Sequence, residues 1–379
     1  MAFVTNSTQT PSLQTTTSSS LISDEDVTTG ELVFIAVAMT TLSALTVIGN
    51  IFVLIIYSKN IQLQSAKNLF IISLAIADII IGTIPVNFYT VYLMYAQWPL
   101  GVIICNAWLI IDYWACTVST LTLLAIAFDR FYFTWFPISH RLHSSRKYVK
   151  RVVYTIWAAA FLVWAPAILI YPYAHGEHTV PSNQCYIQFL FENGHVTLAT
   201  AFCSYYGPVL LTTVLYVAVS SKLVNIKRQK VVPMNQVKST DATGGRMMSI
   251  ISDVGPNFDI RRTSQRNRQL SSSRKSLRLL FLIIIAFSVS WLPYYLSTVV
   301  VAYSKVVLPE RLWRFCYIVG WGNSFLNPLC YAFGSKLFRK GFVALITCDK
   351  KKWLENKQAE ISKWHVSKPV GMFSYQLIV

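Results

Sequence analysis

The chain of 379 residues is 54% hydrophobic and only 13% charged, with a mean hydropathy of +0.46. That balance excludes an ordinary water-soluble domain, in which about 25% of residues carry charge. The formal net charge of +17, in so apolar a chain, points to anionic lipid and a cytoplasmic protein as partners and argues against nucleic acid.

Residues 1–31 are rich in Ser and Thr, hold no Lys or Arg, and carry Asp24, Glu25, Asp26 and Glu31. Their composition predicts a disordered tail. They lack the apolar core of a cleavable signal peptide, so the first apolar run is expected to direct insertion. Seven such runs follow, at about 32–57, 68–95, 102–134, 151–173, 196–221, 277–303 and 312–334, each near or above the ~20 residues that an α-helix needs to cross a bilayer. An odd number of spans puts the termini on opposite sides. The loop after the third run reads His140-Arg141-Leu142-His143-Ser144-Ser145-Arg146-Lys147-Tyr148-Val149-Lys150-Arg151, and the segment 222–276 is basic as well. By the excess of Lys and Arg in cytoplasmic loops, the N-terminus lies outside and the C-terminus inside.

The outer side has two further features. Asn6-Ser7-Thr8 is a glycosylation sequon. Cys105 opens the third span from outside and Cys185 lies in the outer loop between spans four and five, so the pair suits a disulfide in an oxidising compartment. Cys116, Cys203, Cys316 and Cys330 fall within spans and are expected as packed free thiols. On the inner side, Ser335 to Ile346 is amphipathic and Cys348 follows it, which suits palmitoylation of a helix lying on the membrane surface. Arg261-Arg262-Thr263-Ser264 has the form of a basic-directed kinase site. The sequence thus divides into an outer tail (1–31), spans one to five (32–221), a cytoplasmic loop (222–276), spans six and seven (277–334) and a cytoplasmic amphipathic helix with its tail (335–379). The predicted fold is an all-α, seven-helix membrane bundle.

Asp112 is the chemically distinctive residue. Apart from Asp78 it is the only acid well inside any apolar run, and a buried carboxylate costs several kcal/mol (on the order of 3) unless it meets a cation. Tyr113 and Trp114 follow it, and other spans supply Trp164, Tyr205, Trp291, Tyr294, Tyr295, Tyr317 and Trp321. An anion among many π faces suits a small organic cation, because aromatic quadrupoles attract positive charge. An enzyme is not expected. The six His residues, 140, 143, 175, 178, 195 and 365, stand in loops, span edges or tails, without the clustering of a catalytic metal site. A transporter of organic cations would also use an intramembrane Asp, but such folds are often built from repeats and none is visible here.

An ordered set of motifs narrows the reading: Gly49-Asn50 and Val53 in span one, Leu74-Ala75-Ile76-Ala77-Asp78 in span two, Asp129-Arg130-Phe131 closing span three, Trp157 in span four, Pro208 and Tyr216 in span five, Phe287 and Trp291-Leu292-Pro293-Tyr294 in span six, and Asn327-Pro328-Leu329-Cys330-Tyr331 in span seven. In these positions and this order the set resembles the rhodopsin-like G-protein-coupled receptors. Within them, Trp164-Ala165-Pro166-Ala167-Ile168-Leu169, Val180 to Leu190 and Asp112-Tyr113 look like muscarinic acetylcholine receptors, with a second likeness to histamine receptors.

The resemblance implies a multi-pass receptor of the plasma membrane, synaptic membrane included, for a small cationic neurotransmitter. Asp112 would be the ammonium counter-ion, with Tyr113, Cys116, Trp164, Thr200, Ser204, Trp291, Tyr294, Tyr295, Tyr317 and Trp321 around the ligand. Thr200 and Ser204, four apart, would offer hydroxyls from one helix face. Asp129, Arg130, Tyr216, Asn327, Pro328 and Tyr331 would form the switch toward a heterotrimeric G protein. The resemblance implies no resident cofactor beyond an allosteric sodium ion at Asp78, Ser119, Asn323, Ser324 and Asn327. A retinal protein is excluded, because Trp321 stands where the Schiff-base Lys would be. Departures from the muscarinic pattern are Tyr295 for an Asn that bonds the ligand's ester, Trp321 for Tyr, Ser204 for Ala and Cys116 for Ser. The position eighteen residues before Trp291, where many relatives place a Glu to hold Arg130, is Ser273, and no acid occurs from Ile260 through Arg278.

Overall fold

A computed structural model of the chain describes residues 29–174, 176, 178–229 and 281–347. Asn6, Cys348, the segment Arg261 to Ser264 and Ser273 lie outside the described residues, so the modification and loop readings above gain no structural counterpart. Within them the helices are α1 (Thr29–Lys59), α2 (Leu69–Thr83), α3 (Pro85–Tyr95), α4 (Gly101–Trp135), α5 (Pro137–His143), α6 (Arg146–Ala174), α7 (Phe189–Glu192), α8 (Gly194–Ala201), α9 (Gly207–Gln229), α10 (Phe281–Ser304), α11 (Glu310–Gly334) and α12 (Lys336–Ile346).

Six membrane spans meet the length and composition needed to cross a bilayer: α1, α2 with α3, α4, α6, α8 with α9, and α10. The seventh, α11, has 25 residues, or about 37 Å of helix. Its lower hydropathy comes from polar residues turned into the bundle, among them Arg314, Asn323, Ser324 and Asn327, all buried. The bundle is apolar on its outside as well as its inside. Phe34, Ile103, Leu162, Leu210 and Val289 are more than half exposed, as helices in contact with lipid tails must be, while Asn50, Asp78, Ser119 and Asn327 are within.

Local sequence explains the irregularities. Pro85 has no N–H to continue α2, so the span breaks after Thr83 and restarts as α3 with Pro85 in its first turn. α6 begins at Arg146, earlier than the expected start near 151, because Arg146, Lys147, Lys150 and Arg151 extend the helix beyond the apolar run. Between α8 and α9, Phe202–Tyr206 is π-helical, and Pro208, two residues beyond its end, removes a donor from the ladder. Cys203 sits on this segment and is exposed, so it faces outward and is not the packed thiol expected. Cys116 and Cys316 are buried as expected.

α4 is the centre of the bundle and packs on α2, α3, α6 and α9. Polar ties between helices replace the hydrophobic effect, which has no force between lipid-bathed helices. Trp157 Nε1 donates to Ser73 Oγ at 2.9 Å, Trp114 Nε1 donates to the Trp157 carbonyl at 2.9 Å, and Asn50 Nδ2 donates to the Ser324 carbonyl at 3.2 Å. α12 turns along the bundle, its Phe338 against Tyr331 and its Phe342 near Phe52.

Candidate functional site

Asp112 lies in the outer third of α4 and is 5% exposed. Trp321 Nε1 of α11 donates to its Oδ1 at 2.9 Å, and the Cys116 thiol, one turn along the same helix, reaches the same oxygen at 3.6 Å. The carboxylate is therefore held by one strong and one weak donor. No Lys, Arg or His pairs with it among the described residues.

The rings converge as the sequence predicts. Tyr113 and Tyr294 share a hydroxyl–hydroxyl hydrogen bond between α4 and α10. Tyr317 stacks on Trp321 with centroids 5.1 Å apart, Tyr294 lies 5.2 Å from Tyr317, and Trp291 meets Tyr294 edge-on at 5.9 Å. Trp164 lies 4.6 Å from Tyr113 and is anchored by its Nε1 donating to Thr117 Oγ1 at 2.7 Å. Tyr295, the residue in place of the muscarinic Asn, lies flat on Tyr205 at 4.5 Å and 8°.

The span-five hydroxyls are only partly as expected. Thr200 Oγ1 donates to the Val196 carbonyl at 2.9 Å and Ser204 Oγ to the Thr200 carbonyl at 2.6 Å. Their protons are spent on their own helix, and the π-turn that begins at Phe202 alters the register of Ser204. What they offer a ligand is acceptor capacity.

Sequence reasoning missed Tyr89 and His140. Tyr89 is 1% exposed and lies 4.9 Å from Tyr317 and 5.1 Å from Trp321, closing the cage from α3. The break at Pro85, which turns this part of the span inward, was the signal available. The roof is the outer loop, tied to α4 by the Cys105–Cys185 disulfide with Cα atoms 5.7 Å apart, and pinned by Trp98 N–H donating to the Asn183 carbonyl at 2.7 Å. Lys305 Nζ, donating to the Phe191 and Glu192 carbonyls at 2.8 and 3.2 Å, fastens it to the end of α10. In this roof, burial and the Glu192 carboxylate raise the pKa of Tyr186.

Deeper in the bundle, Asn327 Nδ2 donates to Asp78 Oδ2 at 2.8 Å, and Ser324 interacts with the same carboxyl group. Asp78 Oδ1, Ser119 Oγ, Asn323 Oδ1 and Asn327 Oδ1 are buried without hydrogen-bond partners. Oxygen donors of this kind suit a hard cation or a water cluster.

At the cytoplasmic end of α4, Asp129 Oδ2 lies 3.4 Å from Arg130 Nη2, while its Oδ1 lies 2.9 Å from His140 Nε2 of α5. Tyr216 stacks on Phe281 at 4.9 Å and Tyr331 packs on Phe338, so both rings are near Arg130's end of the bundle but engaged elsewhere. The only signal for His140 in the sequence was its place in the short segment after Asp129-Arg130-Phe131.

A buried anion in an aromatic cage, an ion pair at the cytoplasmic end of the same helix and a polar network between them thus stand in one bundle. The family description "7 transmembrane receptor (rhodopsin family)" matches residues 49–331. The chain belongs to this receptor family. Among curated proteins, the receptor is 29% identical to muscarinic acetylcholine receptor M1 of Sus scrofa and of Homo sapiens, with 85% of this chain and 91% of each relative covered. It is 28% identical to muscarinic acetylcholine receptor M4 of Gallus gallus, with 84% and 90% covered. It is thus a non-enzymatic, multi-pass receptor of the plasma membrane, of the aminergic, muscarinic-like kind, which implies a small-molecule ligand and coupling to heterotrimeric G proteins.

Proposed function

We propose that the receptor responds to acetylcholine or a closely related small amine, whose ammonium group sits on Asp112 inside the cage of Tyr113, Trp291, Tyr294, Tyr317 and Trp321. The observation that carries the reading is the position of Asp112: a buried carboxylate with no protein cation beside it, one oxygen held by Trp321 and π faces around it. A ligand ammonium would supply the missing charge, and each aromatic face adds attraction of about 0.5–2 kcal/mol. The muscarinic relatives support acetylcholine over other amines. The bulk of Tyr295 on the span-five side favours histamine as the second reading, because it displaces the Asn on which an ester would lean.

Signalling follows from differential binding. An agonist shifts the equilibrium only by preferring one arrangement of the bundle. Trp291, under the cage, packs so closely on Gly320 that a Cβ there would stand 3.0 Å from its ring. Ligand pressure on this indole is thereby passed to α11, and Pro293 and Pro328 weaken the helices where they must bend. Release of Arg130 from Asp129 would then expose it to the G protein. In the same reading a sodium ion bound by Asp78, Ser119, Asn323, Ser324 and Asn327 stabilises the resting arrangement. A panel of acetylcholine, histamine, serotonin, dopamine and octopamine on expressing cells tests the assignment. Acetylcholine is expected to be the most potent, and a response to another amine alone would overturn it.

A further inference from the structure

The outer end of α11 carries a charged group that the amine site does not use. Arg314 is 8% exposed, and its Nε and Nη2 donate to Glu310 Oε1 at 3.1 and 2.6 Å. Its Nη1 is buried with no hydrogen-bond partner. The Tyr89 hydroxyl is buried and unpartnered as well, and it lies within the opposing fields of Arg314 and Glu310. Tyr89 borders the cage, its ring centroid 4.9 Å from that of Tyr317 and 5.1 Å from that of Trp321, and Arg314 stands three residues, about one turn, outward of Tyr317 on α11. Arg314 precedes Trp321 by seven residues, two turns on one helix face, which puts it roughly 10 Å outward of the indole that holds Asp112.

A guanidinium N–H and a phenol each left buried without a partner near the outer edge of the cage are costly, and an acceptor that met both would recover that cost. Glu310 takes one edge of the guanidinium fork, and being half exposed it is screened by solvent; the other edge remains for a ligand. Resting on the amine-site reading, we infer that Arg314 and Tyr89 form a second polar subsite beside the cage. It takes a hydrogen-bond acceptor, a carboxylate above all, on the tail of a ligand whose ammonium occupies Asp112. A ligand with an apolar tail leaves both groups unpaired and is discriminated against. A water bridging the two groups without any ligand is the competing occupant.

The probes are a trimethylammonium alkanoate with about six methylenes between its charges, enough to span roughly 10 Å with C–C bonds of about 1.5 Å, and the alkyltrimethylammonium of equal length without the carboxylate. Competition binding on membranes compares them. In the wild type the carboxylate probe should bind at least about tenfold more tightly, as a charge-assisted hydrogen bond allows. Arg314→Gln should abolish that ratio while leaving the alkyl probe unchanged, and Tyr89→Phe should reduce it. Glu310→Gln, which leaves Arg314 in place and frees its other edge, should enlarge it; this exposed-side variant serves if Arg314→Gln does not reach the surface. A ratio near one in the wild type, or one unmoved by Arg314→Gln or Glu310→Gln, overturns the subsite and leaves the amine site standing. If neither probe binds the wild type at all, the Asp112 reading falls, and the subsite with it.

Discussion

Replacing Tyr295 by Asn sets two structural effects against each other. The ring lies parallel on Tyr205 at 4.5 Å and meets Tyr294 and Trp291 at 5.4 and 6.1 Å. Truncating a buried aromatic costs about 3–5 kcal/mol where no replacement fills the space; Asn restores part of the volume, which leaves about 2–3 kcal/mol. Against this, an amide placed to bond a ligand's ester contributes about 1 kcal/mol, a fivefold gain in affinity. The two terms act on different observables: stability falls while affinity for ester-containing antagonists rises. Tyr295→Phe separates them, because it keeps the stack and removes only the hydroxyl. The assay is thermal inactivation of detergent-solubilised receptor, followed by a radiolabelled ester antagonist, with saturation binding at low temperature. Tyr295→Asn should lose several degrees of apparent midpoint and gain affinity; Tyr295→Phe should keep its midpoint. An Asn variant as stable as the wild type beside a destabilised Phe variant would show that the stack is immaterial.

Gly320→Ala puts a methyl 3.0 and 3.1 Å from two Trp291 ring atoms, so the indole must shift by a few tenths of an ångström; thermal stability should fall by about 1–3 kcal/mol and agonist-independent signalling should rise. Equal basal signalling at matched surface expression would refute the coupling of Trp291 to α11. Asp129→Asn removes the anion between Arg130 and His140; a restraint of about 1 kcal/mol lost from a part-exposed pair should raise basal G-protein signalling several-fold. Since Ser273 offers no acid to Arg130, Ser273→Glu should lower the wild-type basal signal, and basal signalling equal to that of untransfected cells would mean that other contacts hold the resting state.

The bundle was legible because long, largely apolar runs mark the spans, even α11 with its inward-turned polar residues. The convergence of Asp112, Tyr113, Trp291, Tyr294, Tyr317 and Trp321 followed from ordered motifs on those spans, and the Cys105–Cys185 bridge followed from position. What escaped was orientation within an irregular turn. Composition cannot show that Phe202–Tyr206 widens into a π-turn, so the outward thiol of Cys203 and the internally spent hydroxyls of Thr200 and Ser204 were hidden. Tyr89 and Arg314 escaped for a different reason. Near a span's outer end, an aromatic or a charge is usually at the lipid headgroups, and only packing shows that these two face inward.

The central claim is that Asp112 is the counter-ion of an amine ligand. Asp112→Asn keeps the shape and the Trp321 contact but removes the charge, and its effect on agonist potency, measured at matched surface expression beside Asp112→Glu, tests the claim most directly. Losing a desolvated ion pair costs about 3 kcal/mol, so potency should fall at least about 100-fold in Asp112→Asn, with partial recovery in Asp112→Glu. Near-normal potency in Asp112→Asn would place the ligand elsewhere in the receptor.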